Sequence, residues 1–419
     1  MESLYKKLME YKKEEYYPMH MPGHKRNVDM LPMGNPYGID ITEIEEFDNL
    51  HDAKEIIKKS MDQAGELYHS EHTEYLVNGS TVGILAGILG WTKKGDKIIM
   101  ARNCHKSVYN AVFLGELEPV YVYPQLIEEY GINGGILPQN IEDLLINNPE
   151  VKMIVITSPT YEGIVSDVEA ITKIAHSYNV PCLIDEAHGA HFGFHDKFPK
   201  SSIECGADIV IHSLHKTLPS FTQTALMHIN SSIIDYDIIK EYLKMYQSSS
   251  PSYILMAGID RCIGILKIEG KELFSDFYNK LNSFYENMKN LKHIEVCDFN
   301  RYTVNNLEIY DFDPSKIIIS VKNTNISGLE LYYMLLNKYK IQVEMVTKDY
   351  VIAMTSICDT KEGFQRLKIS EVYASAELRH DGSVNVLIKL GFKMIDQYWE
   401  DGQLVGFYRL LKSDFENKY

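Results

Sequence analysis

Two ionisable residues follow neighbouring apolar segments of the sequence, and together they suggest cofactor chemistry. Asp185 closes the segment PCLID, and Lys216 comes shortly after the segment ADIVIHS. Each alone has an ordinary explanation, because an isolated aspartate often caps a helix or forms a surface salt bridge, and most lysines are solvated. If the two segments are successive strands of a parallel sheet, both residues lie in one crevice. Pyridoxal phosphate requires such a pair, with the lysine forming a Schiff base and the carboxylate keeping the ring nitrogen protonated.

The segment VNGSTVG (77–83) leads into a helix of small and apolar residues and predicts an anion site. Free backbone N–H groups at the helix N-terminus, with the hydroxyls of Ser80 and Thr81, would bind a phosphate. Simple helix capping is the alternative explanation for the same residues. Ser213 and His215, which precede the lysine, could donate further hydrogen bonds to this phosphate.

Histidines near the predicted strand ends allow two interpretations. His105 follows the apolar segment KIIMA, so its flat ring could stack on the cofactor, although a hydrogen-bonded loop histidine is equally typical. The segment DEAHGAHFGFH (185–195) carries His188, His191 and His195, and this density of histidines and acids could ligate a metal. Because glycines interrupt the segment and it contains no HExxH pattern, the histidines do not share one helical face, and we predict no metal.

The elements that must position these residues are indicated by short runs rich in Val and Ile. These runs recur near residues 99, 119, 151, 180 and 207, with helical stretches such as 168–179 between several of them. They are typical of strands buried on both faces, and the alternation predicts βαβ units. The sequence therefore predicts an α/β fold with a mostly parallel sheet flanked by helices, whose strand ends gather the polar residues.

A second region begins near residue 305, where the pattern predicts strand, helix, two strands and helix. This is an α+β layer with its own small core. The first 50 residues are rich in Pro and Gly and predict an irregular arm rather than a core element. We therefore divide the chain into an N-terminal arm (1–50), a cofactor-binding large domain (51–300) and a small C-terminal domain (301–419).

Composition restricts the class of partner. The 419 residues are 45% hydrophobic and 24% charged, and the net charge is −16. This charge argues against nucleic acid, whose phosphates would be repelled, and suits a cationic small substrate, although it also serves solubility. The sequence shows neither an 18-residue apolar run nor a secretory signal, and its six scattered cysteines form no CxxC pair. We therefore expect a reduced, cytoplasmic protein that does not bind membranes.

The motifs in their order resemble the major domain of the Orn/Lys/Arg decarboxylases, in the aspartate aminotransferase superfamily of pyridoxal phosphate enzymes (fold type I). The matching segments are MPGHKRN (21–27), DITEIEEFDNL (40–50), VNGSTVG (77–83), RNCHKSV (102–108), TSPTYEGIVSD (157–167), DEAHGAH (185–191), HSLHKTLPSFTQTALMH (212–228) and SSSPSYILMAGID (248–260). They cover about residues 17 to 260, and the region 306–370 is similar to the small domain of the family more loosely.

The resemblance implies a role for each predicted site residue. Lys216 would form the Schiff base, and Asp185 would pair with the pyridine nitrogen. His105 would stack on the ring, and His188 would lie near the ring hydroxyl or the substrate. The phosphate would be held by Ser80, Thr81, Ser213 and His215.

The resemblance also implies an assembly, because in this family the site forms between two subunits. The segment SSSPSY (248–253) would approach the phosphate of the neighbouring subunit, and the PGHK arm would pack near the entrance. We therefore expect a homodimer or a higher homo-oligomer with shared active sites.

The implied activity is pyridoxal phosphate-dependent decarboxylation of lysine, ornithine or arginine to the amine and CO2, as in polyamine metabolism. Transamination, elimination or aldol cleavage on the same fold stays open, because the bond held perpendicular to the ring decides the reaction. A non-catalytic homologue is a further alternative, against which the retention of Lys216 and Asp185 argues.

The C-terminal segment departs from the family pattern. No Pro-Pro-Gly motif occurs, and residues 382–415 resemble instead the closing strands of an N-acetyltransferase of the GNAT type. Because no acetyl-CoA loop precedes this segment, we predict no acetyl transfer. We expect a helix and a hairpin that complete the small domain, in a tail (371–419) that is atypical for the family.

Overall fold

Helices and strands alternate along the larger part of the chain in the computed structural model, which describes residues 4–30, 32–289, 294–299, 303–304, 307–324, 326–367, 371–377, 393–400 and 403–411. The helices are α1 (Leu4–Tyr11), α2 (Ile56–Tyr68), α3 (Ser80–Trp91), α4 (Lys106–Gly115), α5 (Pro138–Asn147), α6 (Val168–Ser177), α7 (Leu214–Thr217), α8 (Tyr236–Tyr246), α9 (Tyr253–Met288), α10 (Gly328–Asn337) and α11 (Lys361–Leu367). Among these described helices, none combines the length and apolar character needed to cross a membrane.

The strands of the described residues are β1 (Tyr17–Met19), β2 (His72–Leu76), β3 (Lys97–Ala101), β4 (Glu118–Val122), β5 (Leu126–Ile127), β6 (Ile132–Asn133), β7 (Met153–Thr157), β8 (Ile164–Val165), β9 (Cys182–Asp185), β10 (Ile209–His212), β11 (Ala225–Ile229), β12 (Glu295–Val296), β13 (Thr303–Val304), β14 (Leu307–Glu308), β15 (Asp311–Phe312), β16 (Lys316–Ser320), β17 (Ile341–Val343), β18 (Met345–Val346), β19 (Tyr350–Met354), β20 (Glu371–Glu377), β21 (Lys393–Glu400) and β22 (Gln403–Leu411). Short 3-10 helices lie at Pro36–Gly38 and Leu50–Asp52.

A seven-stranded sheet with the order β2-β11-β10-β9-β7-β3-β4 forms the centre of the larger lobe. The pairs from β10 to β4 are parallel, and β11 runs antiparallel to both of its neighbours. The prediction of an α/β fold with a mostly parallel sheet is therefore confirmed, and the five predicted strands are β3, β4, β7, β9 and β10. The antiparallel strand β11 was not predicted. Its direction depends on a turn after Pro219 that reverses the chain, and the pattern of apolar runs does not show such a turn.

Helix α3 lies directly on this sheet, and this contact places its N-terminus at the strand ends. A Cβ atom added at Gly83 would come within 2.7 Å of Leu76 Cδ1 and 2.9 Å of Ile211 Cδ1. The close approach therefore requires glycine at this position. As a result, the Gly-Ser-Thr turn before α3 lies on the same side of the sheet as the carboxyl ends of β9 and β10.

The second predicted region forms a four-stranded sheet with the order β12-β16-β19-β18, accompanied by α10 and α11. The predicted α+β character is confirmed, but β12 from before the predicted region joins this sheet, and the first of the two predicted strands after α10 is divided into β18, which belongs to the sheet, and β17, which pairs with β1 instead. Its expected independent core is not what the structure shows. Ile318 and Ile352 pack in a buried cluster with Ile127, Ile132 and Ile164 from the larger lobe, so the two regions share apolar contacts.

The N-terminal arm is less irregular than predicted. Residues Leu4, Leu8 and Tyr11 recur at helical spacing in α1, a pattern that the clustered prolines and glycines further along obscured. Strand β1 then pairs in parallel with β17, with Tyr17 opposite Ile341 and Met19 opposite Val343. The arm therefore attaches to the smaller lobe through a sheet.

The C-terminal strands form a separate antiparallel sheet with the order β20-β22-β21. The predicted hairpin is confirmed as β21 and β22, which pair from Lys393 to Glu400. The helix predicted before it falls on residues that lie outside the described part of the chain.

Candidate active site

Lys216 lies one helical turn beyond the end of β10, beside a buried histidine. Strand β10 ends at His212, and the single turn of α7 carries Lys216. Its Nζ atom is 3.0 Å from Nε2 of His188, which lies three positions after the last residue of β9. Burial lowers the pKa of Lys216, and the positive charge of Lys316 adds to this effect, while Asp185 and Glu344 oppose it. The amine is thus biased towards its neutral, nucleophilic form.

His188 is held in its neutral form by the same surroundings. Its side chain is buried, and burial together with the charges of Lys216 and Lys316 lowers its pKa well below the usual range. The amine of Lys216 and Nε2 of His188 share this hydrogen bond, and in the Nδ1–H tautomer of the neutral ring Nε2 is the acceptor. The arrangement pairs a neutral imidazole with the amine that has to lose a proton.

Asp185 is the last residue of β9 and is only 4% exposed. In the sheet it lies opposite Ile211 on one side and Thr157 on the other. Burial raises its pKa, and the nearby Lys216 and His105 oppose that rise. The structure therefore brings Asp185, Lys216 and His105 within electrostatic reach of one another, and a surface salt bridge is excluded for this buried carboxyl.

His105 precedes α4 and caps its N-terminus. Its Nδ1 atom is 2.8 Å from the Ser107 hydroxyl and accepts a weaker hydrogen bond from the Ser107 backbone N–H at 3.3 Å. The residue is exposed overall, and the partial burial of its side chain is the main cause that lowers its pKa. The capping contact fixes the ring at the strand end, and stacking on a cofactor stays a prediction.

Two of the predicted phosphate-binding residues meet directly. The Oγ atoms of Ser80 and Ser213 are 2.5 Å apart, although the residues come from different strand ends. Gly79 provides no capping side chain for α3, and Thr81 is exposed in the first turn of the same helix. Hydroxyls and free N–H groups therefore converge at the N-terminus of α3, as an anion site requires.

His215 is engaged differently. Its Nδ1 atom donates to the backbone oxygen of Thr224 at 2.9 Å, and burial lowers its pKa. In the resulting neutral tautomer, Nε2 accepts hydrogen bonds and does not donate them. A direct contact from His215 to a phosphate oxygen therefore stays a prediction that requires the ring to become protonated.

Two residues without a predicted role close the crevice on the side of the smaller lobe. The ring of Tyr161 lies 4.9 Å from the ring of His188, and its hydroxyl donates to Glu344 Oε1 at 2.7 Å. The other oxygen of Glu344 accepts from the backbone N–H of Met21 at 2.7 Å. A lone glutamate within the apolar segment IQVEMV was the available sequence signal, but its contacts depend on residues far away in the chain.

The PGHK arm packs against the turn that carries the lysine. The backbone N–H of Gly23 donates to the carbonyl oxygen of His215 at 2.7 Å. Lys25 is buried, and its Nζ atom donates to the backbone oxygens of His20 at 2.9 Å and Met354 at 2.7 Å. The arm thus braces α7 against the smaller lobe.

The serine segment 248–253 has contacts within its own chain. Ser252 caps α9, and the backbone N–H of Ser248 donates to Asn78 Oδ1 at 3.0 Å, directly before the turn that starts α3. Ser249 and Ser250 are exposed beside it. An approach of these serines to a neighbouring subunit stays a prediction.

The crevice has the polar groups that pyridoxal phosphate would need. Buried side-chain atoms without a hydrogen-bond partner include Asn103 Oδ1, His188 Nδ1 and Thr217 Oγ1, which follow β3, β9 and β10. Such atoms are costly unless a ligand satisfies them. With Asp185 available for the ring nitrogen, the residues fit this cofactor. Among the described residues, no group of three or more His, Cys, Asp or Glu could hold a metal ion.

Solved structures with the same architecture define the class of fold. The constitutive lysine decarboxylase of Escherichia coli superposes with a TM-score of 0.70 at 20% identity, over 92% of this chain and 61% of that one. This chain thus spans about three-fifths of that enzyme's length. The solved neighbours are fold type I enzymes of the pyridoxal phosphate class, and the fold assigned from the motifs is confirmed.

Residues 2–343 match the family described as Orn/Lys/Arg decarboxylase, major domain. The arginine decarboxylase of Bacillus subtilis is 32% identical over 370 residues, which is 87% of this chain and 75% of the relative. The arginine decarboxylase of Bacillus cereus is 30% identical over 395 residues, which is 92% of this chain and 85% of the relative. The chain belongs to the Orn/Lys/Arg decarboxylase family and is an enzyme of that family.

Proposed function

We propose that this enzyme decarboxylates a basic amino acid with pyridoxal phosphate bound to Lys216, releasing the corresponding amine and CO2. The observation that carries the proposal is the buried contact of 3.0 Å between Lys216 Nζ and His188 Nε2, beside the buried carboxyl of Asp185. A nucleophilic amine, a neutral base and a carboxylate at adjacent strand ends are the set that this cofactor uses. The family membership of the chain supports the same reaction.

The cofactor supplies an electron sink, because its protonated ring withdraws electrons from the bond that breaks at the substrate's α-carbon. Asp185 holds the ring nitrogen in its protonated form. Burial raises the pKa of Asp185 although Lys216 and His105 oppose the rise, and a protonated pyridine nitrogen next to the carboxyl would oppose it more strongly, so Asp185 would be ionised in that pair. The negative charge of Asp185 would therefore stabilise the protonated ring nitrogen, on which the electron sink depends.

Lys216 and His188 move the protons. Lys216 has to lose a proton before it can attack a carbonyl carbon, and Nε2 of His188 lies at hydrogen-bond distance to receive that proton. The buried ring of His188 also shields the amine from water. The hydroxyls of Ser80 and Ser213 anchor the phosphate and so fix the ring relative to Lys216.

Glu344 provides the acidic group that a basic substrate needs. It is half-buried, lies on the side of the smaller lobe and acts electrostatically on Lys216. An amino acid attached at the position of the Lys216 amine would extend its cationic end towards this wall. We therefore propose that Glu344 attracts the distal cation, and arginine is the first candidate because the relatives at 30 to 32% identity are named arginine decarboxylases.

A direct substrate screen tests the proposed function. Purified protein with pyridoxal phosphate is incubated separately with arginine, lysine, ornithine and the uncharged analogue norleucine, and CO2 and amines are identified by mass spectrometry. We expect CO2 and one amine from a basic amino acid and none from norleucine. Formation of a keto acid without CO2 would indicate transamination instead, and no product from any basic amino acid would overturn the proposal.

We further propose that the working unit is a homodimer in the cytoplasm. The exposed Ser249 and Ser250 follow Ser248, whose backbone N–H donates to Asn78 at the phosphate turn, where a second subunit could complete the site. All six cysteines are free thiols, as a reducing compartment maintains. Sedimentation at assay concentration tests the assembly, and a fully active monomer would contradict it.

A further inference from the structure

A second lysine, Lys316, lies fully buried behind the candidate active site. Its Nζ atom is 3.1 Å from Asp313 Oδ2, 3.4 Å from the Ser315 hydroxyl and 3.4 Å from the backbone oxygen of His188. The side chain has 0% exposure, as does that of Asp313. A buried lysine is rare unless it is paired, so these contacts are the ones that determine its position.

Asp313, the partner of Lys316, has further hydrogen bonds to other residues. Its Oδ1 atom is 3.1 Å from Nε2 of the buried His191, and its Oδ2 atom accepts from the Ser315 hydroxyl at 2.8 Å. His191 and Lys316 hold the pKa of this carboxyl far below its usual range against the opposing effect of burial. The carboxyl of Asp313 therefore stays ionised although it is surrounded by protein.

The pair joins three segments that are distant in the chain. His188 and His191 come from the loop after β9, Asp313 comes from the turn between β15 and β16, and Lys316 is the first residue of β16. The third segment is the turn before β8, where a Cβ atom added at Gly163 would lie 2.9 Å from Lys316 Cγ. Gly163 also has a φ of +100° and accepts from the Asp313 backbone N–H at 2.9 Å.

Stability alone does not account for this arrangement. Desolvating two charges costs several kcal/mol for each ion, and well-packed apolar side chains usually stabilise a core as well or better. The specific feature is the position of His188, whose backbone oxygen faces Lys316 and whose ring faces Lys216. The contact of 3.4 Å to the backbone is longer than a typical hydrogen bond and is mainly an attraction between a charge and the carbonyl dipole.

We propose that the buried Lys316–Asp313 pair is a clamp that fixes His188 so that its Nε2 atom lies at the amine of Lys216. Lys316 is then a positioning residue that acts through His188. The inference rests on the proposed function, because it assigns the clamp to the attachment of the cofactor at Lys216.

Two cofactor forms separate positioning from folding. Pyridoxal phosphate would bind and then become attached to Lys216 through a C=N bond, with the aldehyde oxygen leaving as water, whereas pyridoxine phosphate has an alcohol in place of the aldehyde and can only bind. The test variant is the isoelectric double substitution Lys316→Met with Asp313→Asn in the full chain. The control is Lys173→Met with Glu169→Gln, which removes an exposed ion pair of 2.6 Å on α6.

We expect the test variant to attach pyridoxal phosphate about tenfold more slowly or worse, because a small displacement of a reacting group has effects of this size. Its affinity for pyridoxine phosphate and its melting temperature should stay close to those of the wild type, and the control should change in neither assay. Equal attachment rates in the test variant and the wild type would overturn the proposal. So would a parallel loss of attachment, binding and melting temperature, which indicates a purely structural pair.

A milder variant keeps the test decisive if the double substitution does not fold. Ser315→Ala removes one hydrogen bond to Asp313 and leaves both charges, so it should slow attachment by a smaller factor in the same direction. An unchanged rate in this variant, together with an unfolded double variant, counts against the clamp. If the wild type itself neither attaches the cofactor nor releases CO2, the proposed function fails and not the clamp.

Discussion

The two walls of the crevice contain buried carboxyl groups whose pKa values are shifted in opposite directions, Asp185 upwards and Asp313 downwards. The strand-end wall consists of Asp185, His188 and Lys216, and burial shifts the pKa of each of them towards its neutral form. The small-lobe wall consists of Asp313, Lys316 and Glu344, and here Asp313 stays ionised beside a lysine. Both walls are largely buried, so the difference comes from hydrogen-bonded partners and not from exposure.

This difference distinguishes groups that take part in proton transfer from groups that fix the position of their neighbours. A group with a shifted pKa gains or loses a proton when a charged ligand arrives, which is what acid–base chemistry requires. A group that is already paired changes little and can serve as a fixed reference for its neighbours. We therefore expect substitutions in the strand-end wall to abolish chemistry, and those in the small-lobe wall to change rates, positions or selectivity.

The largest expected effect comes from the strand-end wall at Asp185. The change Asp185→Asn keeps the shape of the side chain and removes the charge that protonates the ring nitrogen. Turnover should fall by about 10² to 10³-fold, a typical loss for one electrostatic group at a reacting centre. The cofactor should still attach, which its visible absorption would show. Near-normal turnover would mean that Asp185 only stabilises the loop after β9, where its Oδ1 atom accepts from the Ala187 backbone N–H at 3.2 Å.

His188 should follow with a similar or smaller loss. The change His188→Asn removes the proton acceptor at 3.0 Å from Lys216, and we expect about a hundredfold slower attachment of the cofactor. Stopped-flow absorption measures the rate, and melting temperature controls for folding. A matched substitution, His69→Asn, at an exposed histidine in a left-handed backbone conformation should leave the rate unchanged. If both variants behave like the wild type, His188 has no role in proton transfer.

Glu344 tests the selectivity of the small-lobe wall. The change Glu344→Gln should raise KM for arginine about tenfold, because a charge-assisted contact is lost, and should leave the weak binding of uncharged citrulline unchanged. The control Glu362→Gln neutralises an exposed acid on α11 in the same lobe. Equal losses for arginine and citrulline would assign Glu344 only to holding Tyr161 and the arm.

Ser80 should show the smallest effect. The change Ser80→Ala removes one hydroxyl of the pair with Ser213, and the loss of about 1 kcal/mol corresponds to roughly fivefold weaker binding of pyridoxal phosphate. Equilibrium titration of the cofactor-free protein measures this affinity. The change Ser275→Ala removes a hydroxyl within α9 and serves as the control. Unchanged affinity for Ser80→Ala would move the phosphate site elsewhere.

The strand-end wall was accessible from the sequence, because its residues come directly after apolar runs. Asp185 closes β9 and Lys216 follows β10, so a parallel sheet brings them together without further knowledge. Ser80 was found from a different signal, the Gly-Ser-Thr turn before a helix of small residues, and Ser213 was predicted to bind the same phosphate. The fold class followed from the alternation of these runs with helices.

The residues of the small-lobe wall could not be predicted from the sequence in this way. Lys316 opens an apolar strand, where a lysine is usually solvated, and its contact with His188 spans 128 positions of the chain. The contact between Tyr161 and Glu344 spans 183 positions. Such contacts depend on how two sheets pack, and local periodicity carries no information about that packing. Helix α1 was missed for a local reason, because the prolines and glycines after it dominated the pattern.

The attachment of the cofactor to Lys216 is the central claim, and reductive trapping tests it most directly. The cofactor-free protein is incubated with pyridoxal phosphate, reduced with borohydride and digested, and the labelled peptide is identified by mass spectrometry. Because the pKa of Lys216 is lowered, its neutral amine should persist below the pH at which an ordinary lysine is protonated, and labelling should fade only as the pH falls through that lowered value. The account predicts a single label on Lys216 and none in a Lys216→Ala variant. A label on Lys25, Lys106 or Lys316 would contradict it.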